Sequence, residues 1–212
     1  MIISALNLKG GSGKTTLSTN LAIYLASKKK KVLLIDTDKQ GSSVKWFAER
    51  EEENNKIAVI ELSDHRALQK QINDFQQIYD HIIVDGAPSV DILATVSIAL
   101  SDLVIIPVNP SPYDIWSTEI MIERIKQTRE IKKNLRAYFL INRFSTRTNL
   151  SAETEEALKE FELPIFKTKL GHRVAYPDSA LSGLSVIEWP DQKARGEVES
   201  LGKEVEKALK QD

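Results

Sequence analysis

Residues 7–16 read NLKGGSGKTT, a glycine-rich stretch set between an apolar β-rich run, MIISALNL, and a run with helical spacing, TTLSTNLAIYLASKK. A strand, a glycine loop and a helix in that order are the context in which a phosphate-binding loop works. Gly10, Gly11 and Gly13 let the backbone curl with its N–H groups turned inward, where side chains would obstruct phosphates. Lys14 is then placed to reach the β and γ phosphates of a nucleotide, and the Thr15 hydroxyl to ligate Mg2+. The strict pattern G-x-x-x-x-G-K-[ST] asks for glycine at position 8, where this chain has Leu8. A second lysine, Lys9, stands five residues before Lys14. A loop that holds one triphosphate has no evident use for both.

Downstream, further β-rich runs recur: KVLLID, IAVIEL, HIIVD, DLVIIPV, RAYFLIN and PIFKTKL. Several are almost wholly apolar rather than alternating, which suits strands covered on both faces by helices. The segments ALQKQINDFQQIY and STEIMIERIKQTREIKK between them carry apolar residues at helical spacing. The pattern predicts one α/β domain over residues 1–212, a P-loop NTPase with a mainly parallel central sheet flanked by helices. Ligands bind such sheets at the carboxyl ends of the strands, so the loops after Leu8, Ile35, Val84, Val108 and Ile141 should share one edge. Three carboxylates fall there: Asp36 and Asp38 in VLLIDTDKQG, and Asp85 in HIIVDGAPS. An aspartate closing an apolar strand, as Asp85 does, is placed to hold magnesium directly or through water.

Composition removes several classes. At 212 residues the chain suffices for one core and is short for two. No uninterrupted apolar stretch approaches the ~18 to 20 residues that span a bilayer, and MIISALNLKGG lacks a basic leader, so a cytoplasmic protein is expected. The absence of cysteine excludes disulfides, cysteine-ligated iron–sulfur clusters and thiol chemistry. Three scattered histidines, His65, His81 and His172, argue against a transition-metal site. The net charge is −1, with 29 basic and 30 acidic residues, so attraction to nucleic acid has to come from local clustering. The runs KKKK (28–31) and EREEE (49–53) read as solvated helix ends.

KGGSGKTT has the deviant Walker A form KGGxGK[ST]. Together with DTDKQG, IIVDGAPS and LVIIPVNPSPYD it resembles the ParA/MinD family, in particular the short ParA-type partition ATPases of plasmids and chromosomes. The resemblance runs over nearly the whole chain, through GLSVIEW and the final helix. It implies ATP and Mg2+ as cofactors, a sandwich homodimer that forms on ATP binding, and slow hydrolysis stimulated by a centromere-bound adaptor protein. It makes Lys14 the phosphate lysine and Lys9 the signature lysine that reaches across to the other subunit's ATP. Gly10, Gly11, Ser12 and Gly13 become the cradle, Thr15 the magnesium ligand with Asp85 behind it, and Thr16 a neighbour of the α-phosphate. Asp38 takes the position that orients the attacking water, Asp36 supports the water network of the metal, and Asn142 and Arg143 in LINRF contact adenine. NPSPYD, Asn109 to Asp114, aligns with a loop near the nucleotide and the partner surface. One departure stands out: the family commonly reads D-x-D-P-Q, and here Lys39 replaces the proline. Lys39 is expected to face solvent, and its presence puts the rigidity of that loop in question.

The resemblance also implies non-specific binding of double-stranded DNA by the ATP dimer and association with the nucleoid. The candidate contacts are Lys167, Lys169 and Arg173 in FKTKLGHRVAY, with Lys193 and Arg195 in DQKARGE. Division-site relatives instead end in a basic amphipathic helix that lies in the membrane surface. Here the stripe Val198, Leu201, Val205, Ala208 and Leu209 contains no Phe or Trp and reads as a helix packed on its own core, so no membrane contact is expected. The alternatives are a MinD-like positioning ATPase acting on a protein cargo or membrane site, and an ATP-dependent biosynthetic enzyme of the same fold. For the latter the sequence offers no second group of functional residues.

Overall fold

The computed structural model describes residues 1–54, 56–89, 91–145 and 150–210; the last two residues of the expected domain lie outside them. Among these residues six strands form one sheet, all parallel, in the order β3-β2-β4-β1-β5-β6. They are β1 (Ile2–Ala5), β2 (Val32–Asp36), β3 (Ala58–Glu61), β4 (His81–Asp85), β5 (Leu103–Val108) and β6 (Arg136–Ile141). Every residue of β1, β2 and β5 is buried, which explains why these strands read as continuous apolar runs.

Helices cover both faces. On one side lie α1 (Lys14–Ser27), α2 (Ser42–Ala48), α8 (Ala175–Leu181) and α9 (Gln192–Lys210), packed on Ile3, Ala5, Leu34 and Ile105. On the other lie α3 (His65–Ile78), α4 (Ile92–Leu100), α6 (Glu119–Ile131) and α7 (Leu150–Lys159), over Ile2, Ile35, Val104 and Ile106. A five-residue helix, α5 (Pro112–Trp116), follows β5. The central pair α1 and α9 approach closely at Gly202, where a Cβ would meet the Tyr24 ring at 2.3 Å. The apolar stripe of α9, Val198, Leu201, Val205, Ala208 and Leu209, is buried in this contact.

Two expectations need correction. PIFKTKL does not become a seventh strand: it makes a single bridge, Ile165 to Phe139, and donates from Phe166 N to Phe139 O at 2.9 Å. The next two N–H groups, of Lys167 and Thr168, are instead taken by the Glu204 carboxylate of α9, each at 2.8 Å, and this draws the chain off the ladder. Nor is EREEE wholly solvated. Arg50 is 7 % exposed and makes a two-pronged pair with Glu188, at 2.8 and 3.0 Å, while donating to the carbonyls of Gly183 and Asn54. This pair ties the end of α2 to the GLSVIEW segment.

Candidate nucleotide-binding site

β1 lies between β4 and β5, so the chain crosses over on either side of it and leaves a crevice at the carboxyl ends of the strands. The glycine loop sits in that crevice. Gly13, at φ 99°, occupies the N-cap of α1 without any side-chain cap, and this leaves the first N–H groups of the helix free for an anion. A side chain there is doubly forbidden, since a Cβ would also lie 2.1 Å from Nδ2 of Asn142. Asn142 in turn donates to Ser12 O at 2.8 Å and fixes the loop against the end of β6.

The two lysines of the loop behave differently. Lys14 is 7 % exposed, turns inward and donates to the carbonyl of Lys9 at 3.1 Å. Burial lowers its pKa, with Asp85 and Asp38 opposing that shift. Lys9 points away and pairs with the buried Asp114 of α5. The other oxygen of Asp114 accepts from Asn109 at 3.0 Å, and Asn7 caps Lys9 N at 2.9 Å while donating to Pro107 O at 2.7 Å.

The strand-end carboxylates gather behind the loop. Asp85 is 1 % exposed and accepts from Thr15 Oγ1 at 2.7 Å, Ser43 Oγ at 2.8 Å and Ser18 Oγ at 3.3 Å. Burial pushes its carboxyl up to about 6, against the Thr15 and Ser43 hydroxyls and Lys14 and with Asp36 adding to the rise. Asp36, its neighbour across the β2–β4 pairing, is fully buried and accepts from the N–H groups of Asp38, Ser43 and Val44 at 3.0, 2.7 and 3.3 Å. Both oxygens of Asp36 are thus engaged in shaping the loop into α2. Asp38 accepts from Gln40 N at 2.9 Å and faces a cavity of about 300 Å³ that is also lined by Gly10, Gly11, Lys14 and Thr15. Lys39 beside it is exposed.

A second cavity of about 310 Å³ continues from this one past Gly13 and Thr16, between Asn142, Arg143, Arg173 and Pro177. Its dimensions and position suit a nucleoside whose phosphates lie over the glycine loop. No cluster of three or more His, Cys, Asp or Glu side chains among the described residues could hold a metal by itself. The donor set instead fits a magnesium ion carried by phosphate oxygens, with the Thr15 hydroxyl as its protein ligand and Asp85 reached through water.

The five basic candidates do not form one outward patch. Arg173 is bound to Glu197 at 2.6 and 2.9 Å and lines the second cavity. Lys169 pairs with Glu155, while Arg195 donates to the carbonyl of Ile187 and lies 3.8 Å from Glu199. Lys167 and Lys193 are exposed and make no side-chain pair among the described residues. Sequence reading also missed Ser43 and Ser18 on Asp85, and the grip of Asp114 on Lys9. The signal for the latter lay within NPSPYD, a segment whose aspartate carried no assigned role.

The model of the CobQ/CobB/MinD/ParA nucleotide binding domain matches residues 3–186. The chain is 30 % identical to the maintenance of carboxysome distribution protein A of Halothiobacillus neapolitanus over 187 residues, covering 88 % of this chain and 86 % of that protein. It is 29 % identical to the sporulation initiation inhibitor protein Soj of Bacillus subtilis over 239 residues, 92 % of this chain and 93 % of Soj. Its backbone matches the septum site-determining protein MinD of Pyrococcus horikoshii, solved with Mg-ADP, at a TM-score of 0.77 and 20 % identity, covering 99 % and 97 % of the two chains.

Proposed function

The chain belongs to the CobQ/CobB/MinD/ParA family of nucleotide-binding domains, and from that premise we propose that it is a ParA-type partition ATPase. It binds ATP with Mg2+, dimerises face to face on doing so, holds double-stranded DNA without sequence preference, and is released when an adaptor protein bound at a centromere-like site stimulates hydrolysis. The observation that carries this reading is the division between the two loop lysines: Lys14 is turned into the cradle, while Lys9 is one-third exposed and directed away from it. A cation outside its own cradle is of use to a nucleotide held by a second copy.

In this reading the N–H groups of the loop and Lys14 bind the phosphates. Mg2+, held by Thr15, supplies charge neutralisation at the phosphate oxygens. Asp38 orients the water that attacks the γ-phosphorus as the bond to the β-phosphate oxygen breaks, leaving ADP and inorganic phosphate. Lys9 from the second copy offsets the charge that develops, and this couples turnover to assembly. Tyr113 and Trp116, 71 % and 61 % exposed on the same short helix as Asp114, add apolar surface next to Lys9 on which a second copy could seat.

Positioning of a protein cargo on the nucleoid is the second reading, favoured by the similarity to a carboxysome distribution protein. It uses the same site residues and differs in the adaptor. Light scattering and DNA co-sedimentation with ATP, ADP and no nucleotide test the shared core of both. The expected result is a dimer retained on DNA with ATP alone; a monomer in all three states would overturn it.

A further inference from the structure

Asn142 and Arg143 stand side by side just past the end of β6, yet they are employed differently. Asn142 is buried, and its amide is spent on the glycine loop, donating to Ser12 O at 2.8 Å beneath Gly13. Arg143 is exposed, and its side chain makes no hydrogen bond or ion pair among the described residues. Its backbone, at φ 51°, lies in the left-handed region that an arginine seldom enters.

The neighbours on either side impose that conformation. In a regular strand, groups two residues apart point the same way. Here Asn142 N donates to Val108 O of β5 at 2.8 Å, whereas Phe144 N donates to Leu170 O at 2.8 Å, on the opposite side of β6. Phe144 O also accepts from His172 N at 2.9 Å. The chain thus reverses its hydrogen-bonding side within one residue, and that residue is Arg143. A backbone held off its preferred conformation from both ends fixes the direction in which its side chain leaves.

That direction is toward the candidate site. The cavity over the glycine loop and the second cavity beside it share three lining residues, Gly13, Thr16 and Arg143. A nucleotide whose phosphates occupy the first and whose nucleoside occupies the second has its α- and β-phosphates at this junction. The other Lys and Arg side chains that line the two cavities are already engaged: Lys14 donates to Lys9 O, and Arg173 is held by Glu197. Arg143 is therefore the cation left over where the phosphate chain begins.

We infer that Arg143 clamps the α- and β-phosphates of the bound nucleotide, and not its base. The inference rests on the ATPase reading above and adds a phosphate contact to it. A guanidinium suits the place, since it is always charged and offers parallel N–H donors to two phosphate oxygens at once. Those phosphates are common to ATP and ADP, so Arg143 grips substrate and product alike. The γ-phosphate stays with Lys14.

The test compares wild type with Arg143→Gln, which removes the charge, and Arg143→Lys, which keeps the charge without the fork. Affinities for ADP, inosine diphosphate and inorganic pyrophosphate are read by displacement of a fluorescent ADP with Mg2+ present, at several salt concentrations. Arg143→Gln should weaken ADP at least about tenfold, the scale of a lost charged hydrogen bond, and weaken inosine diphosphate and pyrophosphate by the same factor. The loss should shrink as salt rises, and Arg143→Lys should recover part of it. Melting without nucleotide should match wild type, because the side chain has no partner among the described residues to lose. If Arg143→Gln fails to fold, Arg143→Lys must still weaken both diphosphates equally. A variant that loses ADP affinity but not pyrophosphate affinity, with its preference for ADP over inosine diphosphate collapsed, would return Arg143 to the base and overturn the inference. Unchanged ADP affinity in both variants would remove the clamp and leave the ATPase reading standing. A wild-type chain that binds none of the three ligands would remove that reading as well.

Discussion

Lys9 and Asp114 form an ion pair between the glycine loop and the helix after β5, in which the aspartate side chain is 3 % exposed and the lysine 36 %. In this conformation the lysine is held by its own chain, so serving a second copy requires it to leave Asp114. Asp114→Asn should weaken the hold by about 1 kcal/mol, the scale of a partly exposed charged pair. The ATP concentration at half-maximal dimerisation should then fall about fivefold. A midpoint that stays put or rises, read by light scattering, would show that the pair does not compete with assembly.

The two lysines should separate experimentally. Lys14→Ala removes the buried cation of the cradle and should abolish both nucleotide binding and dimerisation. Lys9→Ala should retain ATP binding in calorimetry while losing the ATP dimer. Equal loss of nucleotide affinity in both variants would contradict the division of roles.

The Asp38 carboxylate faces the phosphate cavity and, among the described residues, accepts from Gln40 N. Removing a group that positions the attacking water typically costs about 10² to 10⁴ in rate. Asp38→Ala should therefore accumulate as the ATP dimer, with phosphate release reduced at least a hundredfold. Wild-type turnover would shift the role to another residue.

Asp85 gives a pH signature. The folded chain binds its proton more tightly than the unfolded chain does, since burial lifts the carboxyl to about 6 from about 3.9. The stability that Asp85 contributes is thus fully present below the unfolded value and is lost as pH rises through the window from about 4 to 6, by roughly 3 kcal/mol. Asp85→Asn escapes that loss, because the Thr15 and Ser43 hydroxyls can turn to accept from its amide. In urea unfolding without nucleotide or Mg2+, the variant should match wild type near pH 4 and exceed it by about 2 to 3 kcal/mol at pH 7.5. A difference that does not change with pH would remove Asp85 as its source.

Gly202 faces the Tyr24 ring too closely for a Cβ. Gly202→Ala should cost about 1 to 3 kcal/mol through overpacking between α1 and α9. A melting temperature equal to wild type would mean that the two helices separate without penalty.

The parallel sheet, the phosphate loop and the strand-end aspartates were legible in the sequence because each rests on local pattern: apolar runs, glycines in register and an acidic residue where a strand stops. What escaped depends on partners far along the chain. Arg173 looks like a free cation until Glu197, 24 residues later, folds back on it. Arg50 looks solvated until Glu188 is brought beside it. PIFKTKL has the composition of a strand, and Glu204 decides that it is not one.

The loop from Asp36 into α2 carries one more consequence. Asp36 grips the N–H of Asp38 with one oxygen and those of Ser43 and Val44 with the other, so the intervening residues are moored at both ends to a single carboxylate. Gly41, at φ 63°, turns the chain back with its N–H on Asp38 O at 2.8 Å. The stiffness that a proline at position 39 would bring is thus supplied from beneath the loop, and Lys39 can point into solvent without slackening it. Asp38, held at its N–H by Asp36 and at its carbonyl by Gly41, has no spare chain with which to retreat from the cavity over the glycine loop.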